Sequence, residues 1–297
     1  MPATPQTGAL VGLFLGAAAI AFSPILVRLV QVAPEVSAFY RVALAAPLLW
    51  IWMRRTDRKT NAPPLDWRTR LGLLGAGLFF TGDLGFWHWS LQLTSIANAT
   101  LLPNFSPIFV TLGAVLLFHE RISRLYLIGL VASVLGLIIL MGGDPGRDPN
   151  AILGDALGLV AAVFYAGYLL AISRYRKRLS VARIMAWTSL GAALGLLPIV
   201  PLSGNAFTVP SPQDWLFLLL LAWFSHALGQ GLIAYALAHL PATFSSVGLL
   251  TQPLLAALLA WPLFGEGIDQ WQGIGGLIIL VGIYAAHRGR APRPANP

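Results

Sequence analysis

The sequence predicts an all-α integral membrane protein of ten transmembrane helices, arranged as two inverted five-helix repeats. Three observations predict it. First, the 297 residues are 57% hydrophobic and only 10% charged, against about 25% charged in an ordinary soluble domain. A soluble fold of this length has nowhere to hide so much apolar surface, so its solvent is lipid. Second, the excess of Lys and Arg behind the net charge of +8 falls in short runs between apolar stretches. That placement is a topology signal, not a nucleic-acid signal. Third, the second half of the chain repeats the first at one fixed shift.

A spanning helix needs about 20 mostly apolar residues. Runs bounded by charges, Gly/Pro turns or polar clusters give spans over 8–30, 35–53, 69–91, 95–118, 123–141, 152–173, 183–202, 214–238, 242–264 and 270–287. The first run has no Lys or Arg before it, so it reads as a retained span and not as a cleaved signal. With the N-terminus inside, the loops 54–70, 119–124 and 174–183 and the tail 287–293 carry sixteen of the nineteen Lys and Arg. Arg147 lies on the other side with Asp144, Asp148, Asp214, Glu266 and Asp269, while Arg28 and Arg41 fall within spans. This bias places both termini in the cytoplasm and the protein in the inner (cytoplasmic) membrane. There are no cysteines, which excludes disulfides, thiol catalysis and Cys-based metal sites.

The repeat emerges at a shift of 146 residues, which aligns Pro107 with Pro253, Glu120 with Glu266, Gly129 with Gly275 and Gly136 with Gly282. The same shift aligns Gly8 with Gly154, Gly12 with Gly158 and Arg28 with Arg174. It divides the chain into 1–146 and 147–297, with five spans each. Five is odd, so the second half enters the membrane upside down. Such inverted repeats place a substrate site near the midplane between the halves.

The segments TSIANATLLPNFSPIFVTLGAVLLFHERIS and TQPLLAALLAWPLFGEGI carry a family resemblance. With ten spans in two repeats, the chain resembles the EamA-type branch of the drug/metabolite transporter superfamily. The Pro…Gly/Ala-rich…Glu ending of the fourth and ninth spans is the most specific mark, and the resemblance covers nearly the whole chain. Its aromatic-rich third span looks like that of the YddG-type exporters of aromatic amino acids. The resemblance implies a secondary transporter, and export is its implied direction. The four-span relatives in the superfamily use a Glu in their first span for proton coupling; here 8–30 contains no acid.

Charge inside the spans is the sharpest site signal, since an Asp or Arg at a span centre costs about 2.5–3.5 kcal/mol on insertion scales. Asp83 is the one acid, and Arg41 the one base, well inside an apolar span. Counted from the outer face they lie at similar depths, roughly 9 Å for Arg41 and 12 Å for Asp83 at 1.5 Å per residue. Two roles are open: a buried charge pair fixing span two on span three, or a cavity in which Asp83 meets an amine or a proton and Arg41 a carboxylate. Phe79, Asp83 and Trp87 share one helical stripe, flanked by Phe80 and His88. Aromatic packing or an interfacial belt is the competing reading for this stripe. Span eight carries Trp223, His226 and Gln230, and His226 falls opposite Phe80 under the shift. A lone His at midspan faces polar groups or water. Its roles are cavity lining, a structural hydrogen bond, or a proton carrier.

Asn104, Gln252, Tyr165 and Tyr168 complete the predicted substrate-binding set, with Pro107 and Pro253 as hinges where helical hydrogen bonds break. Asn98, Thr100, Thr243, Ser245, Ser246 and Thr251 read as interhelical glue, and Glu120 and Glu266 as helix-end contacts at the water boundary. One acid, one base and many aromatics make a nearly neutral cavity, suited to neutral or zwitterionic solutes with a flat apolar side, such as aromatic amino acids. Phosphorylated solutes need several core Lys or Arg. Lipophilic amines, which aromatic faces also bind, and uptake in place of export are the alternatives. No HExxH, GxSxG or Asp pair within spans points to an enzyme, and no continuous polar lining points to a channel. No cofactor or metal is expected, and the short loops predict a monomer in the bilayer without nucleic acid.

Overall fold

The computed structural model describes residues 5–94, 99, 101–141, 149–264 and 270–289. Asn98, Thr100, Asp144, Arg147, Asp148, Glu266 and Asp269 lie outside the described residues. The regular structure among the described residues is helical. Helices α1 (Pro5–Ala21) and α2 (Ser23–Leu29) are separated by a break at Phe22, and α3 (Pro34–Ala43) and α4 (Ala45–Thr60) by a break at Leu44. Each break lies next to a proline, Pro24 or Pro47, that cannot donate to the carbonyl four residues back. Then follow α5 (Trp67–Leu93), a 3-10 turn (Leu102–Phe105) that runs into α6 (Ser106–Phe118), and α7 (Arg124–Met141). The second half comprises α8 (Pro149–Tyr175), α9 (Val181–Leu202), α10 (Pro212–Leu220), wider π-type turns over Leu221–Gln230, α11 (Gly231–Ala236), α12 (Ala242–Gly248), α13 (Thr251–Phe264) and α14 (Gln270–Gly289).

Helix starts follow local chemistry. Asp66 caps α5 by accepting from the Thr69 N–H at 3.3 Å, and Ser180 caps α9 through the Arg183 N–H at 3.3 Å. Ser211 accepts from the Asp214 N–H at 3.2 Å, with Pro212 in the first turn of α10. Each cap satisfies a backbone donor that the helix leaves unpaired. Outward-facing Leu127, Ile128, Val131 and Leu135 of α7 and Leu277, Leu280 and Val281 of α14 are exposed. So large a continuous apolar face suits lipid and not water.

Six segments are long and apolar enough to cross a membrane: Gln6–Leu29, Pro34–Thr60, Ala151–Tyr175, Val181–Leu202, Pro212–Ala236 and Ala242–Leu263. Leu102–Phe118 and Arg124–Leu140 are shorter apolar helices. The long α5 and α14 pack among them, α5 against α8 and α9, and α14 against α7.

Elements recur at the repeat shift. The end of α2 at Leu29 matches the end of α8 at Tyr175, the end of α6 at Phe118 matches that of α13 at Phe264, and the start of α7 at Arg124 matches that of α14 at Gln270. Shifted residues also meet. The Ser133 hydroxyl donates to the Ile279 carbonyl at 3.5 Å, across a separation of 146 residues. On either side of this contact, Gly129 lies on Gly282 and Gly136 on Gly275, pairs that the shift exchanges. The α7–α14 crossing is therefore a local two-fold contact, made close by glycine on both helices: a Cβ on Gly136 would stand 2.7 Å from the Gly275 carbonyl oxygen.

Where the basic loops gather, the Arg183 Nε donates to Asp57 Oδ1 at 2.7 Å and its Nη2 to the Pro63 carbonyl at 2.6 Å. This ties α4 and its following loop to α9. The guanidinium is buried while Asp57 is partly wet, so the cost of breaking the link falls between that of a surface pair and that of a buried pair. Arg183→Gln should lower stability by about 1–3 kcal/mol. Asp57→Asn should cost less, because the bond to Pro63 survives. Thermal midpoints in detergent check this; equal midpoints for wild type and both variants would remove the tie from the stability account.

Candidate functional site

Between the halves lies a cavity of about 180 Å³. Its walls come from the break region of α1–α2 (Ser23, Pro24, Val27), from α5 (Phe80, Asp83, Leu84, Trp87), from the 3-10 turn before α6 (Pro103, Asn104), from Tyr165 of α8 and from α12–α13 (Ser246, Gln252, Pro253, Ala256). Arg41 of α3 and Ser106 at the start of α6 complete the polar lining. Three wall pairs exchange under the repeat shift: Pro103 with Leu249, Asn104 with Leu250, and Ser106 with Gln252. The cavity thus sits where the two halves are related, the place that inverted repeats reserve for a solute.

The two charges face this space without touching. Arg41 and Asp83 make no ion pair within 4.0 Å among the described residues, although each feels the other's charge. The expected charge pair is therefore corrected to two charges on one cavity. Arg41 instead sits with its guanidinium carbon 5.8 Å from the Phe80 ring centroid, in cation–π range. Phe80 forms a flat plate, its ring stacked with Tyr168 at 4.8 Å and with His226 at 5.5 Å. Behind the plate, His226 Nε2 meets Ser189 Oγ at 2.8 Å. The Tyr165 hydroxyl lies against Gln230 and Gln252.

Several buried polar atoms around the cavity have no hydrogen-bond partner among the described residues: Arg41 Nε, Tyr168 Oη, His226 Nδ1, Gln230 Oε1 and Gln252 Nε2. Buried polar groups are almost always paired, so a cluster of unpaired ones marks functional space more readily than packing.

Of the predicted site residues, Phe80, Asp83, Trp87, Asn104, Tyr165, Gln252, Arg41 and Pro253 lie on the cavity wall. Tyr168, His226 and Gln230 are buried one layer behind it. His88 is also buried, with Nδ1 on the Leu84 carbonyl at 2.5 Å and its ring against Trp87. Two residues face away. Phe79 is 43% exposed and fills the groove left by Gly167, 5.9 Å from the Phe164 ring. Its place in the cavity is taken by Phe80, because the wall follows the 80, 83, 84, 87 arc of α5 and Phe79 falls off its edge. Trp223 is 50% exposed and donates its indole N–H to the Leu44 carbonyl at 3.1 Å, at the break between α3 and α4. The π-type turns rotate it out of the register that an α-helix would give. Pro107 is buried in the first turn of α6, where a proline breaks no helical hydrogen bond, and its carbonyl accepts from Thr111 at 2.7 Å; it does not reach the cavity.

Ser23, Pro24, Ser106 and Ser246 are wall residues that the sequence reading did not assign to the site. Ser23 pairs with the Ser225 hydroxyl. The Ser-Pro step inside an apolar run was the available signal for the first two, because a helix break inside a membrane occurs where backbone lines a cavity or is covered by protein.

Apolar helices around a mostly apolar cavity that carries a few polar and charged groups define a multi-pass membrane protein with room for a small solute. The family follows from comparison. The profile of the EamA-like transporter family matches residues 7–142 and again 152–287, and the chain belongs to that family, within the drug/metabolite transporter superfamily. It is 28% identical over 251 residues to the pseudopaline exporter CntI of Pseudomonas aeruginosa, covering 84% of each chain. To an uncharacterized transporter of Archaeoglobus fulgidus it is 27% identical over 250 residues, covering 83% of this chain and 85% of the relative. To the uncharacterized transporter YdfC of Bacillus subtilis it is 24% identical over 275 residues, covering 91% and 87%. A solved crystal structure superposes with a TM-score of 0.79 over 94% of this chain and 96% of the other, at 18% identity, which establishes likeness of fold. Family and named relatives are transporters, which points away from an enzyme.

Proposed function

We propose that the chain is a monomeric ten-span secondary transporter of the inner membrane, with two inverted five-helix repeats (1–146 and 147–297) and both termini in the cytoplasm. It exports small neutral or zwitterionic solutes, foremost amino acids with aromatic side chains, by alternating access around the central cavity. The observation that carries this reading is the placement of Arg41 and Asp83 on one cavity, apart from each other, with Phe80, Trp87 and Tyr165 on the same wall. A zwitterion satisfies both charges at once: its carboxylate accepts from the guanidinium, its ammonium meets Asp83, and its ring lies on an aromatic wall. The unpaired Arg41 Nε favours a solute with an acceptor over a lipophilic amine, which would leave that donor bare. Export agrees with the relative named as an exporter.

The test is counterflow of labelled phenylalanine and tryptophan in proteoliposomes. Accumulation driven by unlabelled amino acid inside is the expected result. Its absence for both, with the protein folded and inserted, would overturn the amino-acid reading.

A further inference from the structure

The two halves differ at a contact that the repeat shift relates. At the end where the basic loops gather, α6 and α8 are in contact. Gly113 packs directly on the Leu170 side chain, and Lys177 lies 5.9 Å from the Phe118 ring centroid. Tyr126 adds a polar bolt there, sharing a hydrogen bond with Thr111 at 2.7 Å and donating to the Thr243 carbonyl at 3.1 Å. The repeat shift turns Gly113 and Leu170 into Leu259 and Pro24. In the present structure Pro24 is exposed and lines the cavity. Leu170 is buried while its image Pro24 is exposed, so the two ends of the molecule differ at this place.

The shift can be applied to the whole cavity wall. Phe80, Leu84, Trp87 and Ala256 become His226, Gln230, Ile233 and Val110, all of them buried. Two of these carry an independent mark: His226 Nδ1 and Gln230 Oε1 are buried and have no hydrogen-bond partner among the described residues. Each side chain thus keeps one polar atom unmatched in a membrane core, which is accounted for if water or solute reaches it in another conformation.

We infer that His226, Gln230, Ile233, Val110 and Leu170 line a second cavity, open to the cytoplasm in the alternate conformation, and that the Gly113–Leu170 contact is the gate that closes it here. The inference rests on the two-repeat, alternating-access reading above. It adds a chemical distinction between the two cavities. The images of Arg41 and Asp83 are Trp187 and Gly229, so the second cavity has no charges of its own. A solute approaches from the cytoplasm through a neutral vestibule of imidazole and amide groups, and meets the charges only at the centre.

The absence of cysteine makes the test direct. Single Val110→Cys and Ala256→Cys variants of the full chain are labelled with a membrane-impermeant maleimide, the first from the cytoplasmic side in inside-out vesicles, the second from the opposite side in right-side-out vesicles. Gly113→Leu is then added as a wedge in the gate, with buried Leu137→Cys as a control for unfolding. The expected result is that the wedge speeds Val110→Cys labelling about tenfold and slows Ala256→Cys labelling, while Leu137→Cys stays unreactive. Slower Ala256→Cys labelling without any gain at Val110→Cys would overturn the assigned lining and leave alternating access standing. No change at either position would overturn the gate. If the wedge prevents folding, Val110→Cys and Leu137→Cys are compared without it. Faster cytoplasmic labelling at 110 supports the inference, and equal rates overturn it. Labelling needs no solute, so a failure of the amino-acid reading in counterflow leaves this result interpretable.

Discussion

Arg41→Gln should reduce phenylalanine counterflow at least about tenfold while the protein stays folded. The amide keeps most of the side-chain volume and loses the charge. Hydrogen bonds to a charged group contribute about 1.5–3 kcal/mol, and each 1.4 kcal/mol is about tenfold in binding. Stability should hold or rise, because a buried, incompletely paired guanidinium is costly to keep in a membrane. Such a change, with function lost and stability unharmed, is the signature of a group retained for its ligand. Asp83→Asn should impair phenylalanine transport as well, by a different route, and probes that carry one charge separate the two. Arg41→Gln should spare competition by phenethylamine and lose competition by 3-phenylpropionate; Asp83→Asn should do the reverse. If both variants transport phenylalanine as the wild type does, the charges are scaffolding, and the site moves to the ring stack of Phe80, Tyr168 and His226.

The second large effect is on folding. Gly282→Val should destabilise the protein by about 3 kcal/mol or more, the upper end for overpacking. A Cβ on Gly282 would stand 2.6 Å from the Ser133 backbone nitrogen, and backbone in a helix cannot turn aside as a side chain can. The same bulk on an outward face, as in Leu277→Phe, should be nearly silent, since that position already carries an exposed apolar side chain. Thermal midpoints of the two purified variants test this, and a Gly282→Val midpoint equal to that of Leu277→Phe would refute close packing at the crossing. Transport per folded molecule should change little in either.

The helical plan was readable because it rests on long apolar runs and on a shift that a single chain displays without help. The glycine matches found in the sequence turned out to carry spatial meaning as well. Gly129 and Gly136 meet the shifted image of each other, not their own, as two helices crossing at a two-fold axis require. The site was readable where charge is expensive: Arg41 and Asp83 stood out by their positions inside apolar runs. Finer orientation was not. Phe79 and Phe80 are neighbours of equal hydrophobicity, and only the packing of α5 on α8 decides which one faces the cavity. Trp223 and His226 sit on π-type turns, where helical spacing misleads by a fraction of a turn. The bond between His226 and Ser189 joins different helices, and no local pattern announces it. Ser246 looked like ordinary helix glue because its role depends on the cavity beside it and not on its own chemistry.

The contact of Ser133 with Ile279 has a consequence for how such a molecule can hold its charges. Two separate, identical half-length chains paired about that two-fold axis would present every residue twice. A serine on the axis would face a serine, and each arginine or aspartate placed on the central chamber would appear in duplicate, doubling its desolvation cost and setting like charges near one another. Joining the two copies in one polypeptide removes that obligation. Ser133 can face an isoleucine, Arg41 can be answered by Trp187, and Asp83 by Gly229. Covalent fusion thus permits a single cation and a single anion in a near-symmetric chamber, and a solute that carries one of each then has only one way round to lie.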